Sequence, residues 1–256
     1  MPTPLQIALG FVTNFFDTLG IGSFATTTAA FRLLKVVPDE LIPGTMLVGH
    51  ALPVVAQALI FITVVDVNPA QMATLIACCV VGGWVGAGVV ASVSRRAIQY
   101  AMAFALTAAA VLMLTGMLGL IPGGGTATTF PPSAFIIAIV VSVILGALLT
   151  VGIGNYAPSL IIFSLLGMDP RAAFPIMMGS GAFVATIAGV RFITRARFDQ
   201  RAALGLVTGG IPGVLVAAWF VQSLPLEYLR WLVLVVVLYS ATSLLKAAAS
   251  HAPSNG

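Results

Sequence analysis

The stretch LQIALGFVTNFFDTLGIGSFATTTAAFRLL, residues 5–34, is predominantly apolar and is interrupted near its middle by Gly20-Ile21-Gly22. A second long apolar stretch, residues 131–166, contains Thr150-Val-Gly-Ile-Gly154, which repeats Thr18-Leu-Gly-Ile-Gly22 at an offset of 132 residues. Each stretch is longer than the roughly 20 residues that one membrane-spanning helix needs. We therefore predict that each forms a Gly-broken helix or a helical hairpin.

The composition indicates a protein embedded in a bilayer. Hydrophobic residues make up 60% of the 256 residues and charged residues only 7%, whereas a soluble domain carries about 25% charged residues. The basic residues, which give a net charge of +4, are scattered between apolar runs, as expected of headgroup contacts and not of a nucleic-acid surface. Eight apolar stretches predict an all-α polytopic membrane protein: residues 4–34, 42–65, 71–92, 97–121, 131–166, 172–193, 203–222 and 228–249.

The two halves of the chain resemble each other beyond the glycine interruptions. At the same offset of 132 residues, Pro and Gly positions match without gaps: Pro38 with Pro170, Pro43 with Pro175, and Gly49 with Gly181. We predict two homologous repeats, each a broken helix or hairpin followed by three transmembrane helices. The predicted boundaries are residues 1–120 for the first repeat, 121–132 for a Gly/Pro/Thr-rich linker, 133–249 for the second repeat and 250–256 for a polar tail.

Charge placement favours repeats of inverted orientation. Cytoplasmic loops collect Lys and Arg, and both halves satisfy this rule if the two long stretches are hairpins that enter and leave the membrane on one side. The basic positions that decide this are Arg32, Lys35, Arg95, Arg96, Arg191, Arg195, Arg197 and Arg201. Both termini would then be cytoplasmic. Eight simple spans with parallel halves are the alternative, which would leave the cluster at 191–201 outside.

The paired Gly-Ile-Gly breaks, the Pro38/Pro170 and Pro43/Pro175 turns, and the Gly82-Gly83 and Gly209-Gly210 pairs resemble the TauE/SafE-type sulfite exporter family, also called the toluene-sulfonate uptake permease family. The resemblance covers nearly the whole chain. It implies transport of sulfite, sulfonates or related small organic anions, often outward and driven by an ion gradient. It also implies an integral protein of the bacterial inner membrane. The first break departs from the commoner longer glycine run, so substrate identity does not carry over directly.

The two breaks are candidate anion-binding elements. A helix that restarts inside the membrane presents free N–H groups and the positive end of its dipole, which attract an anion. Hydroxyl and amide donors near the restarts suit a sulfonate or carboxylate where a full positive charge is costly. The candidate residues are Gly20, Gly22, Ser23, Thr26 and Thr27 at the first break, and Gly152, Gly154, Asn155, Tyr156 and Ser159 at the second. We expect the two restarts to hold one anion between them. Alternatively, these side chains bond to their own backbone and the glycines permit close helix packing.

Asp17, His50 and Asn14 are candidates for coupling transport to an ion gradient. Asp17 is the one carboxylate well inside an apolar stretch, and Leu149 stands at the matching position of the second half. A carboxylate in the hydrocarbon zone is rare and costly, which marks it as a proton or cation site. Its alternative role is structural, as a partner of a backbone N–H at the break or of His50. His50 can carry protons or pack as a bonded core residue, and Asn14 lies three residues before Asp17.

We therefore predict a secondary transporter of small anions that is coupled to H⁺ or Na⁺. The sequence does not decide between a monomer and a homodimer. A passive anion channel is the first alternative, and an intramembrane enzyme that uses Asp17 and His50 is the second. The sequence offers no Walker motif, no metal-ligand cluster and no Ser/His/Asp set, so we expect no catalytic residues, no cofactor and no metal.

Overall fold

A computed structural model describes residues 1–90, 94–120, 125–149, 155–194 and 198–250. Over these residues the regular structure is helical, apart from one isolated bridge between Ala127 and Met168. The α-helices are α1 Pro4–Thr18, α2 Ser23–Leu33, α3 Ile42–Val64, α4 Pro69–Val90, α5 Arg95–Met117, α6 Pro132–Leu149, α7 Tyr156–Leu165, α8 Pro170–Thr194, α9 Gln200–Ser223 and α10 Leu226–Ser250. A short 3-10 helix, Asp39–Leu41, precedes α3. Five of the described helices are long and apolar enough to cross a bilayer, which confirms an all-α polytopic membrane protein.

Helix α1 is apolar outside and polar inside. Its N-terminus is fixed by a capping box in which Thr3 and Gln6 bond each other's backbone N–H groups. Val12 is 48% exposed and Phe16 40%, whereas Asn14 is 1% exposed and Asp17 3%. Burying polar groups while exposing large apolar ones is unfavourable in water and favourable in lipid. The face that α1 turns inward is therefore polar, unlike an ordinary hydrophobic core.

The described residues form two compact units, residues 1–65 with 178–224 (unit 1) and residues 66–177 with 225–256 (unit 2). In unit 1, α1 and α2 form a hairpin. The ring of His50 contacts Asn14 on α1 at 3.0 Å and Thr27 on α2 at 2.9 Å. Along one continuous helix these two residues would stand about 20 Å apart at 1.5 Å per residue, so α2 must fold back beside α1.

Unit 2 contains a second hairpin, made by α6 and α7. The rings of Phe130, just before α6, and Phe163, near the end of α7, lie 5.5 Å apart between centroids. The bridge between Ala127 and Met168 also joins the segments that flank the hairpin. Because the first arm starts where the second arm ends, the chain enters and leaves this hairpin on the same side.

The hairpins pack on helices from the opposite half of the sequence. Helix α1 packs along α9 in unit 1, and α6 packs along α4 in unit 2. By the offset of the predicted repeats, α6 corresponds to α1 and α4 corresponds to α9. Each compact unit therefore combines segments of both predicted repeats. The repeat boundaries themselves, including the linker at 121–132, stay a prediction from sequence.

The second arms of the two hairpins end in the same backbone geometry. The N–H of Val36 donates to Phe31 O and that of Met168 donates to Phe163 O, each at 3.0 Å and each 132 residues from its counterpart. The residue before each donor has a left-handed backbone, with φ of 51° at Lys35 and 97° at Gly167. These are Schellman caps, and their match supports the duplication. Glycine suits the left-handed position, whereas lysine there is strained.

We expect Lys35→Gly to stabilise the protein by about 1 kcal/mol, because a non-glycine residue pays roughly that much for a left-handed backbone. Thermal melting in detergent should show a rise in midpoint for Lys35→Gly. Gly167→Ala, which introduces the same strain at the matching cap, should lower it. A lower midpoint for Lys35→Gly would contradict the strain assigned to this residue.

Candidate functional site

The tip of the first hairpin is a tight turn that two glycines permit. Helix α1 ends at Thr18 and α2 begins at Ser23, with φ of 96° at Gly20 and 88° at Gly22. Such angles are accessible to glycine and strained for other residues. Asn14 and Thr27 lie level with His50, the ninth residue of the 23-residue helix α3. One further turn places the tip near the middle of α3, as expected of a break at mid-bilayer.

The carboxylate of Asp17 caps the helix that restarts at this tip. Its Oδ1 accepts the backbone N–H of Ser23 at 2.6 Å. Gly22, at the N-cap position of α2, has no side chain for this bond, so the cap comes from six residues earlier, across the turn. A carboxylate at a helix N-terminus satisfies a free N–H and complements the dipole. The structural partner that the sequence allowed for Asp17, a backbone N–H at the break, is therefore present.

His50 joins the two arms of the hairpin to α3. Asn14 donates Nδ2–H to the carbonyl of Gly10 at 2.8 Å, which leaves its Oδ1 to face Nδ1 of His50. Since Oδ1 is an acceptor, Nδ1 of His50 must carry a proton. The neutral ring then accepts the Thr27 hydroxyl at Nε2. His50 is fully buried with both ring nitrogens engaged, an arrangement that holds the hairpin in place.

The threonine hydroxyl groups after the first break are committed to protein partners. Thr26 donates to the carbonyl of Ser23 at 2.9 Å, and Thr28 donates to that of Phe24 at 2.7 Å. Thr27 is taken by His50. Thr26 therefore follows the alternative stated from the sequence, in which the side chains after the break bond to their own helix backbone. Ser23 is buried, and its N–H meets Asp17.

The second break shows a different arrangement at its restart. Asn155 stands at the N-cap of α7 but makes no side-chain cap bond, and its buried Oδ1 has no hydrogen-bond partner. Tyr156 and Ser159 are buried in the first turn of the helix, and the Ser159 N–H bonds the Asn155 carbonyl. No carboxylate stands at the position that corresponds to Asp17, which is Leu149. Gly152 and Gly154 lie outside the described residues.

One buried polar residue of unit 1 escaped the sequence reasoning. Gln57, two turns after His50 on α3, is fully buried, and neither Oε1 nor Nε2 has a hydrogen-bond partner. The sequence does mark this residue: Gln57 is a lone amide in an apolar stretch, seven residues after His50. That spacing places both residues on one helix face.

The part of the chain that the structure describes contains no group of three or more His, Cys, Asp or Glu side chains that could hold a metal ion. Neither His50 nitrogen contacts Asp17 there, because each nitrogen already has another partner. In the described part of unit 1, Asp17 thus caps α2 while His50 bonds Asn14 and Thr27.

Comparison with known proteins gives one match. No curated protein and no solved structure matches the chain. A sequence model of the sulfite exporter TauE/SafE family matches residues 5–244, nearly the full length. The resemblance inferred from the glycine breaks and proline turns is thereby confirmed, and the chain belongs to the sulfite exporter TauE/SafE family of membrane transporters.

Proposed function

We propose that this protein is a secondary transporter of small anions, sulfite or organosulfonates first, and that it couples their movement to protons through Asp17. One observation carries the proposal. The Asp17 carboxylate occupies the N-terminus of α2 near the mid-length of α3, where an anion would otherwise bind. Family membership supports the transport of a small anion across a bilayer.

The position of Asp17 suggests how coupling works. While the carboxylate is ionised, its charge neutralises the positive end of α2 and repels a second anion. Protonation removes that charge and weakens the bond to Ser23 N–H. The tip then accepts an anion more readily. Proton and anion therefore bind together and move in the same direction.

The restart of α7 supplies the stronger anion site. It has the dipole of a helix N-terminus without a neighbouring carboxylate, since Leu149 stands where the first half has Asp17. A half-turn of the Asn155 amide would present Nδ2 to an anion, and Ser159 offers a hydroxyl in the same turn. The two predicted repeats thus differ at their restarts: α2 takes an anion only after Asp17 is protonated, whereas α7 offers an anion site with no carboxylate at the matching position.

The helix order supports a topology with both termini in the cytoplasm. If α3, α4, α5, α8, α9 and α10 each cross once and the two hairpins do not cross, nine of the eleven Lys and Arg residues fall on one side. These nine are Arg32, Lys35, Arg95, Arg96, Arg191, Arg195, Arg197, Arg201 and Lys246. Only Arg171 and Arg230 fall on the other side. The positive-inside rule assigns the basic side, with both termini, to the cytoplasm.

A flux assay in proteoliposomes tests the function. Sulfite, sulfoacetate, isethionate and sulfate are offered with and without an imposed pH gradient. We expect saturable transport of sulfite or an organosulfonate that accumulates only with the gradient. Flux that never saturates and ignores the gradient would identify a passive channel instead. If none of the four anions moves or competes, the substrate class is wrong.

We expect Asn155→Asp to raise the KM for the transported anion roughly tenfold to a hundredfold, since a bond to a charged group is worth about 1.5–3 kcal/mol. The new carboxylate places a negative charge at the N-cap of α7, next to the free N–H groups of the restart, and it repels the substrate. Ser164→Ala serves as the control, because Ser164 is buried in α7 but bonds only the Leu160 carbonyl of its own helix. Initial rates over a range of substrate concentrations give the KM of each variant. An unchanged KM in Asn155→Asp would remove Asn155 from the site.

A further inference from the structure

Within the described part of unit 1, two buried side chains carry polar atoms that have no hydrogen-bond partner. Asp17 leaves Oδ2 unpartnered, and Gln57 leaves both Oε1 and Nε2 unpartnered. Buried polar atoms are nearly always bonded, because each unpartnered one is costly. Two such groups in one unit call for a shared explanation, provided that they lie close together.

The helix register places them at neighbouring levels. Helices α1 and α3 both run parallel to α9, and a Cβ built on Gly210 of α9 would meet Asn14 and Pro53, each at 2.6 Å. Asp17 lies three residues beyond Asn14, and Gln57 lies four beyond Pro53. These steps advance about 4.5 Å and 6 Å in the same direction. Measured from this contact, the levels of Asp17 and Gln57 along the helix axes differ by about 1.5 Å. Measured from the contact of Asn14 with His50, they differ by about 6 Å, so the two residues lie within about one helical turn of each other along the axes.

We propose that Gln57 completes the proton-binding site of Asp17, an inference that rests on the proposed coupling role of this carboxyl. When Asp17 is ionised, Oδ2 accepts a hydrogen bond from Nε2 of Gln57, directly or through one water. When a proton binds at Oδ2, the new O–H donates to Oε1 after a half-turn of the amide. An amide suits this role because it offers a donor and an acceptor of nearly the same shape. Gln57 is thus a positioning residue for the coupling proton.

The other ionisable groups on the helices around Asp17 are either bonded to other partners or lie farther from the tip of the hairpin. His50 lies on the same face of α3 as Gln57, two turns closer to the start of the helix, with both nitrogens bonded. Asp199 and Arg201 lie at the start of α9, level with Thr45, whose hydroxyl accepts the Asp199 N–H. Gln57 is twelve residues further along α3, about 18 Å away. Arg32 lies in the last turn of α2, at the end of the hairpin away from the tip.

Infrared titration of the purified protein tests the pair without relying on transport. The protonated carboxyl band of Asp17 is assigned by its loss in Asp17→Asn. We expect Gln57→Leu to change its frequency and to move its midpoint to higher pH by about one unit or more, since the ionised form loses a charge-assisted bond. Gln57→Met, which nearly keeps the side-chain volume, should change the frequency and midpoint of the band in the same way. It is the deciding variant if Gln57→Leu fails to fold. Thr13→Val removes a buried hydroxyl that bonds only its own helix and should leave the band unchanged.

An Asp17 band that is identical in wild type and Gln57→Met would overturn the inference. A band that responds to Na⁺ in wild type and loses that response in the Gln57 variants would also overturn it, because the site would then hold a cation. The proposed function fails separately, if wild-type flux ignores the pH gradient. In Asp17→Asn, adding Gln57→Met should cause no further change in the pH profile of anion exchange.

Discussion

Asp17→Asn should abolish accumulation of the anion driven by a pH gradient while leaving anion exchange at equal pH largely intact. The asparagine amide keeps the shape of the side chain, and its oxygen can still accept the Ser23 N–H that now meets Oδ1 of Asp17. It cannot ionise, so no proton moves with the anion. We expect gradient-driven accumulation to fall at least roughly tenfold, to the level of empty liposomes, since each tenfold change corresponds to only about 1.4 kcal/mol of coupling.

Two further variants separate coupling from structure. Asp17→Ala removes the cap as well as the charge and should lower the melting midpoint, because loss of a helix N-cap costs about 1 kcal/mol. Thr13→Val, one turn earlier on α1, should change neither accumulation nor exchange. Normal gradient-driven accumulation by Asp17→Asn would exclude this carboxyl from the mechanism. Loss of both activities with normal folding would assign it to anion binding and not to coupling.

The sequence was informative wherever a residue type has few uses. Paired glycines inside long apolar stretches predicted the interruptions, and the first lies between Thr18 and Ser23 with left-handed angles at Gly20 and Gly22. A lone carboxylate in such a stretch predicted a special environment, and Asp17 caps α2. Both inferences rest on large local free-energy costs, one of a left-handed backbone and the other of burying a charge. These costs belong to the residue itself and do not depend on its sequence neighbours.

The remainder depended on contacts between distant segments. Hydroxyl-rich sequence after the break suggested several equivalent donors, but Thr26 bonds its own helix whereas Thr27 bonds His50. The difference arises from which face of α2 meets α3, and spacing within α2 does not fix that face. The pairing of α1 with α9, from the opposite half of the sequence, is likewise a matter of tertiary packing. Gln57 went unnoticed because an amide is cheaper to bury than a carboxylate.

Gly209→Ala should be the most damaging single-methyl change in unit 1. A Cβ at this position would lie 1.8 Å from the carbonyl oxygen of Ile7 and 2.8 Å from the N atom of Phe11. These are backbone atoms of α1, which cannot turn aside as a side chain can. The helices would have to separate along the contact lined by Gly205, Gly209 and Gly213, a spacing typical of close helix pairs in membranes.

We expect Gly209→Ala to cost about 3 kcal/mol or more, at the upper end of the range for overpacked cores, and to abolish transport. Separating α1 from α9 also displaces Asn14, which packs against Gly210, and thereby the contact that His50 makes with the hairpin. Thr208→Ala is the matched control, because the neighbouring Thr208 is exposed and bonds only its own helix. Melting and size-exclusion profiles in detergent give the readout. A Gly209→Ala protein that melts like Thr208→Ala would show that α1 does not pack this closely on α9, and the placement of Asp17 would lose its support.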